Sequence, residues 1–547
     1  MKVDAVFRGR INTWDPQRPT ATAMAIHHGR IVAFDDEAEE LARDARAREE
    51  LGDGFVFPGF HDAHCHTTGF GISLSQLDLS TPPITSLEEL YRAVEREAAT
   101  AAAGSWVIGA GYDQNKIGGR HPELARLDEV GHGHPVWLRN TSGHLCVVNS
   151  AVAALIGSGL SEPVAGGRVV FDDQGRFTGL LQERAQGLVQ KIVLPRSLDT
   201  VAAAIGRAHD EYLREGVTSV CDAGIGGPQS PGEFAAYQLA REQGLLRVRT
   251  TVMISADALA AVHGHRDDDL DGAFGLPTGI RSGIGDDWLR IGPAKVFSDG
   301  SLIGRTCWME EGFDDDSTNT GYPQGSPDDL RRVIVGAHLA GWQVATHAIG
   351  DAAVSFVIDC YDEALRRKPR PDHRHRIEHC GITSPDALER MARLGVVPVP
   401  QGRFIGEIGD GMLRAVGPAR AAHTYRLRSF LQAGLTLPGS SDRPVVSGRP
   451  LLGIQDMVCR LTESNAPFAT SEALTVEEAM RAYSEGSAWA EHSEQSRGAL
   501  REGQLADFVV LAADPRLVSP EEIGAVPVLA TALGGRLVFR DTRLGMQ

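Results

Sequence analysis

The sequence predicts an α/β fold: a (β/α)8, TIM-like barrel with an insertion after its first strand and a small β-sandwich domain built from both chain termini. Three observations point there. Eight apolar, mostly β-branched runs lie along the middle of the chain, most of them separated by helical patterns, and eight is the strand number that closes such a barrel. Five of these runs lead at their C-terminal edge into a histidine, a lysine or an aspartate, the edge where barrel enzymes carry their chemistry. Both ends of the chain are rich in short strand patterns.

Residues 1–54 read as the first part of the small β-domain, with strands at Ala5–Phe7, Thr22–Ile26 and Gly29–Phe34. His27 and His28 fall in the turn before Gly29 and read as loop residues. Residues 491–547 carry the same texture in Asp507–Leu511 and Gly534–Phe539. Two separate flaps of such short strands would be marginal alone, so the ends are expected to fold together.

The barrel is expected over 55–490. Phe55–Phe57 opens it and meets the Pro58-Gly59 break. Strand patterns then recur at Gly216–Cys221, Arg247–Val252, Leu289–Val296, Trp342–His347, His375–His379, Val396–Pro400 and Leu435–Leu437. Helical patterns lie between them at 202–215, 232–244, 328–340, 351–366 and 385–394, the last with Ser384 as N-cap and Pro385 at its first position. Helical crossovers on the outside make the sheet parallel. The stretch from about 70 to 200 is too long for one connection and reads as an inserted cap or subdomain.

Composition narrows the function. With 547 residues, 42% hydrophobic and 23% charged, the chain is an ordinary globular one. A net charge of −18 disfavours nucleic acid. No apolar run is long enough to span a bilayer, and the first residues lack a signal-peptide layout, so a cytoplasmic protein without a membrane partner is expected. A homodimer is the expected assembly. The seven cysteines are scattered, without a Cys-x-x-Cys pair, which argues against a disulfide framework or a zinc knuckle and for buried thiols.

Four His-x-His pairs occur: His64/His66, His132/His134, His263/His265 and His373/His375. On an extended strand residues two apart share a face, so one pair can reach one metal ion. The second and third pairs centre on glycine among loop residues, and the fourth precedes a strand, at the barrel's bottom. Only His64/His66 ends a strand on the catalytic edge. Lys295, His347, His379 and Asp442 sit at or just past the same edge of other strands. A lone strand-end histidine is commonly a hydrogen-bonded core residue and a lone aspartate a helix cap; five coincident positions are harder to dismiss, because polar groups there must otherwise find buried partners. The set suits Zn²⁺ or a similar first-row ion. Lys295 fits if CO₂ carbamylates its amine into an anionic bridge; a salt bridge to Asp299 is the plain alternative.

The pattern Pro58-Gly59-Phe60-x-Asp62-x-His64-x-His66, followed by strand-end Lys295, His347, His379 and Asp442, resembles the amidohydrolase superfamily. The motifs Gly143-His144, Lys295–Ser301, Thr346–Asp351 and Arg376–His379, with Gly29–Ala33 and Gly503–Leu511 at the ends, are similar to its YtcJ-like, amidohydrolase-3 branch. The resemblance spans essentially the whole chain. It implies one Zn²⁺ or similar ion on His64, His66 and Asp442, a second on His347 and His379, and Lys295 bridging them. It also implies Asp442 as the proton-transferring group and His144 as a catalytic donor that binds the substrate carbonyl. Asp299 would orient Lys295 or contact substrate; Trp308, with Trp106, Tyr112, Trp137 and Phe171, could line an apolar amine-side pocket, with ordinary core packing the expectation for most of them. The implied reaction is hydrolysis of a non-peptide C–N amide bond in a small molecule, N-substituted formamide deformylation being the specific expectation. A deaminase of the same superfamily and a non-catalytic scaffold are the rivals.

Overall fold

The computed structural model describes residues 2–194, 196–227 and 232–544. At its centre is a seven-stranded parallel sheet in sequence order: β1 (Phe60–Cys65), β2 (Val217–Ile225), β3 (Arg249–Ser255), β4 (Leu289–Phe297), β5 (Val344–Ala348), β6 (Arg376–His379) and β7 (Val397–Val399). Helices Leu198–Arg214, Glu233–Glu242, Pro327–Leu339, Asp351–Arg367 and Pro385–Leu394 connect successive strands. Their starts follow sequence chemistry: Ser197, Ser326 and Ser384 each accept a backbone N–H of the first turn, the last two ahead of a proline. The outward-facing Val220, Val252, Ile291, Val344 and Ile377 pack against Ile205, Ala240, Ile334, Val357 and Met391 of these helices. Inside, the sheet carries the small cluster Cys221, Ala223, Met253 and Ala345.

Six of the eight expected runs are barrel strands or overlap one. Leu435–Leu437 is not a strand; the chain there runs extended to Asp442 and closes most of the seam by other bonds. Ala63 N–H donates to Gly439, Asp442 N–H to His64 and His66 N–H to Arg443, while Ser440 Oγ donates to Pro400. Pro438 has no N–H to give a ladder, and Asp442 lies in the left-handed region at φ 59°, so a regular eighth strand is interrupted from both ends.

The opening strand also differs from expectation. Phe55–Phe57 belongs to strand Ala47–Pro58 of the terminal sheet, where Val56 pairs with Val510. The chain changes sheets at Gly59, which must be glycine because a Cβ there would lie 2.3 Å from the Thr218 side chain. That terminal sheet has seven strands, drawn from residues 5–58 and 508–540. It is one continuous sheet and not two hydrogen-bonded layers; it curls until Gly29 meets Gly534 and Gly535 meets Ile26, around a core of Phe7, Met24, Val56, Phe508 and Val510.

Residues 77–183 build a six-stranded mixed sheet beside the barrel mouth, with its own core of Leu90, Val94, Val107, Leu138 and Val147. Helix Leu87–Thr100 is capped by Ser86 and buries Leu90, Tyr91, Val94 and Ala98 on one face. Among the described residues no helix is long and apolar enough to cross a membrane. All seven cysteines are free, six of them buried.

Candidate metal centre

β1 delivers His64 and, one residue past its end, His66. The β1–β2 ladder steps from Asp62–Val220 to Cys65–Asp222, three residues against two, a bulge that re-aims the side chains at the strand's end. Glu378 accepts a hydrogen bond from His64 Nδ1–H from behind, leaving Nε2 3.3 Å from Asp442 Oδ1. His66 Nε2 lies 3.0 Å from the same oxygen. One ligand atom from each of His64, His66 and Asp442 lies within 4.8 Å of the others.

His347 ends β5 with Nε2 donating to the Gly300 carbonyl at 3.0 Å, so Nδ1 is its free ligand atom. His379 ends β6 with Nδ1 donating to Gln401 Oε1 at 2.7 Å, which frees Nε2. Its ring centre lies 4.5 Å from that of His347 and 5.0 Å from that of His64. His379 sits at φ +68°; Ile377, two residues earlier, packs outward on the helices, and the left-handed turn lets His379 leave that alternation. Lys295, on β4, is buried with Nζ 4.7 Å from the centre of the Phe297 ring.

The electrostatics separate these groups. Burial pushes the Asp442 carboxyl up, but the close His64 and His66 rings prevail and hold it well below the usual carboxylate range. Burial lowers His347 and His379, keeping both imidazoles neutral, as ligands must be. Burial also brings Lys295 down to about 8 against the pull of Glu378 and Asp442.

Three buried polar atoms here have no hydrogen-bond partner: His64 Nε2, Asp442 Oδ1 and Lys295 Nζ. A buried unsatisfied group costs about 1–3 kcal/mol, and these three border one space. Imidazole nitrogens and a carboxylate around it are the donor set of a divalent first-row ion, so the residues fit the expected metal.

His144 reaches the centre from the inserted sheet. Its ring centre is 5.2 Å from that of His347, and its Nδ1 bonds Glu183 Oε2 at 2.7 Å. Burial opposes protonation, but the Glu183 charge and hydrogen bond outweigh it and raise the His144 pKa. Above the centre a cavity of about 1670 Å³ opens between barrel and insertion, lined by His66, His144, Lys295, His347, His379 and Asp442.

Two expected substrate contacts are corrected. Asp299 is fully buried and receives the N–H groups of Trp308, Ile349 and Gly350; it anchors two loops and flanks His347 at 3.3 Å, and it does not line the cavity. Trp308 packs on Phe356, ring centres 5.6 Å apart, and none of the five aromatic candidates borders the cavity. The other His-x-His pairs stand apart: His132 and the 263/265 pair are at the surface, and His373 and His375 are buried beneath the barrel with His338. Sequence reasoning missed Glu378, Gln401 and Glu183. Glu378 had a signal, a carboxylate adjoining a ligand histidine in a strand; the other two had none.

The family model described as amidohydrolase family matches residues 49–539. The chain belongs to the amidohydrolase family. YtcJ of Bacillus subtilis (strain 168) is 31% identical over 503 residues, 90% of each chain. The N-substituted formamide deformylase of Arthrobacter pascens is 28% identical over 549 residues, 98% of each chain. The crystal structure of an uncharacterized metal-dependent hydrolase from Pyrococcus horikoshii OT3 superimposes with a TM-score of 0.74 at 25% identity, covering 94% of this chain and 99% of that one. This amidohydrolase-family chain is in broad class a metal-dependent hydrolase.

Proposed function

We propose that this hydrolase cleaves a non-peptide C–N amide bond, that of an N-substituted formamide or a related small N-acyl amine, with one or two Zn²⁺ ions as cofactor. The observation that carries the reading is the convergence of His64, His66 and Asp442 at one point beside Lys295, His347 and His379. The first three would hold one ion and His347 and His379 a second, with carbamylated Lys295 between them. Lys295 suits that modification: an unpartnered amine brought down to about 8 is partly neutral at physiological pH, and only the neutral amine attacks CO₂. A divalent ion there supplies an activated water and polarises a carbonyl.

Asp442, ionised, takes a proton from the attacking water and returns it to the departing amine nitrogen. His144, its proton favoured by Glu183, donates to the carbonyl oxygen as charge builds there. The small acyl group is supported by a spur of about 20 Å³ beside His347, His379 and Asp442, walled by Leu302, Ile349, Phe404, Met412 and Tyr425. That is room for about one water-sized group, which suits formyl better than a long acyl chain. The formamide deformylase among the relatives points the same way.

The test is metal analysis of the purified protein together with a panel of formamides, acyl amines and cyclic amides. Two ions per chain, formamide turnover and loss of metal in Lys295→Ala are expected. One ion with Lys295→Ala fully active would turn the assignment to a mononuclear deaminase, and a metal-loaded protein inert to every amide would end it.

A further inference from the structure

Arg139 lies in strand Val136–Asn140 of the inserted sheet and lines the cavity above the metal centre. Four other cations of the cavity wall are neutralised: Arg443 by Glu215, Arg403 by Asp456, Lys116 by Glu463 and Arg184 by Asp257. Lys191 lies exposed at the rim. Arg139 is different. Its Nη2 donates to Gln76 Oε1 at 2.6 Å, its Nε is buried without a partner, and its flat face is backed by the buried Trp137 ring, 5.7 Å away. The chain has 72 acidic side chains, all among the described residues, and none forms an ion pair with this guanidinium. The charge that acts on it most is another cation, Arg196.

A half-buried guanidinium with a buried, partnerless Nε and no counter-charge is costly unless something completes it. Burial, then Arg196, bring Arg139 down to about 10, so it stays cationic at neutral pH. A fork of this kind matches the two oxygens of a carboxylate. Asp222 and Glu233 also line the cavity, and their field opposes a dianion such as a phosphate ester.

We propose that Arg139 receives a carboxylate carried by the substrate, so that the amide hydrolysed belongs to an anionic N-acyl amine. The inference rests on the amide-hydrolase reading above and narrows it. Five residues lead from Arg139 to His144, with a turn closed by Gly143 N–H on Asn140, so their Cα atoms are at most about 18 Å apart. The carboxylate therefore sits on the insertion side of the site, within that reach of His144, and the length of substrate that spans it is what the experiment reads.

The experiment uses the metal-loaded full chain and a series of N-formyl ω-amino acids of increasing length, each against its uncharged carboxamide. At the best length the acid is expected to exceed the carboxamide in kcat/KM about tenfold or more. Arg139→Gln should collapse that ratio toward one, mainly through KM, and Arg139→Lys should keep part of it. No acid preference at any length, a ratio unmoved by Arg139→Gln, or stronger inhibition by the matched phosphonates would overturn the proposal. Calorimetric binding of the free ω-amino acids separates the two readings. Acids that bind wild type about tenfold more tightly than Arg139→Gln, with no amide turned over, uphold the subsite and sink the hydrolase; acids that bind neither protein sink the subsite.

Discussion

His64 and His379 are gripped on one nitrogen so that the other is left free. Glu378 holds His64 through Nδ1, and Gln401 holds His379 while donating to Val399 and Ser440. Partners that fix an imidazole's tautomer and aim typically affect metal affinity about 10–100-fold. Gln401→Leu is therefore expected to lower zinc affinity by about that factor, read by competition with a chelator; unchanged affinity would remove Gln401 from this role. His144→Asn should lower turnover about 100-fold or more with metal content intact, and metal loss instead would make His144 a ligand. The candidate ligands were legible because strand ends are local. Their holders were not: Gln401 reaches His379, and Glu378 reaches His64, only through the closure of the barrel. Asp299 misled for a similar reason, since its motif position beside Lys295 says nothing of the three backbone N–H groups that claim it.

At the scale of elements, the period of the strands and helices was readable and their exceptions were not. Helices at 198–214, 327–339 and 385–394 overlap the periodic stretches 202–215, 328–340 and 385–394, the last announced by Ser384-Pro385 as well. The missing eighth strand reflects Pro438 and the left-handed Asp442, which a short apolar run cannot reveal. The Pro58-Gly59 break was visible, but not that the chain changes sheets there, nor the close Thr218 that demands glycine. Gly59→Ala should cost about 1–3 kcal/mol by overpacking, seen as a lower calorimetric midpoint, and Thr218→Ala in the same chain should recover part of it. A full midpoint in Gly59→Ala alone would show that the joint has slack. On the helix face, Ile377→Ala removes a fully buried side chain and should cost about 2–5 kcal/mol.

Across the whole molecule, buried neutral histidines set the acid limit. Burial lowers His338 from 6.5 to about 4 and His209 to about 3, and holds His375 well below its ordinary value. Below pH 6.5 the unfolded chain binds these protons and the folded one does not, so stability present above 6.5 is lost as pH falls toward 4. Denaturation midpoints should decline across that window, and His338→Gln should flatten the slope; a slope equal to wild type would exclude His338 from the effect. Both strand-rich ends were legible from local patterning, but the curl of their shared sheet brings Gly29, Gly534 and Gly535 against partners from distant parts of the chain.

The partnership of Ala47–Pro58 with Phe508–Leu511 also governs how the protein is born. At about 5–20 residues per second on the ribosome, that strand waits roughly 20–90 seconds for its neighbour. Through this interval it shows an open hydrogen-bonding edge, the kind of surface on which nascent chains stick together. The waiting stretch is Phe55–Pro58, and the charged Arg48, Glu49, Glu50 and Asp53 precede it on the same strand. A transcript cut short before its last strands would yield a chain with that edge permanently bare, marked for proteolysis whatever the state of its active site.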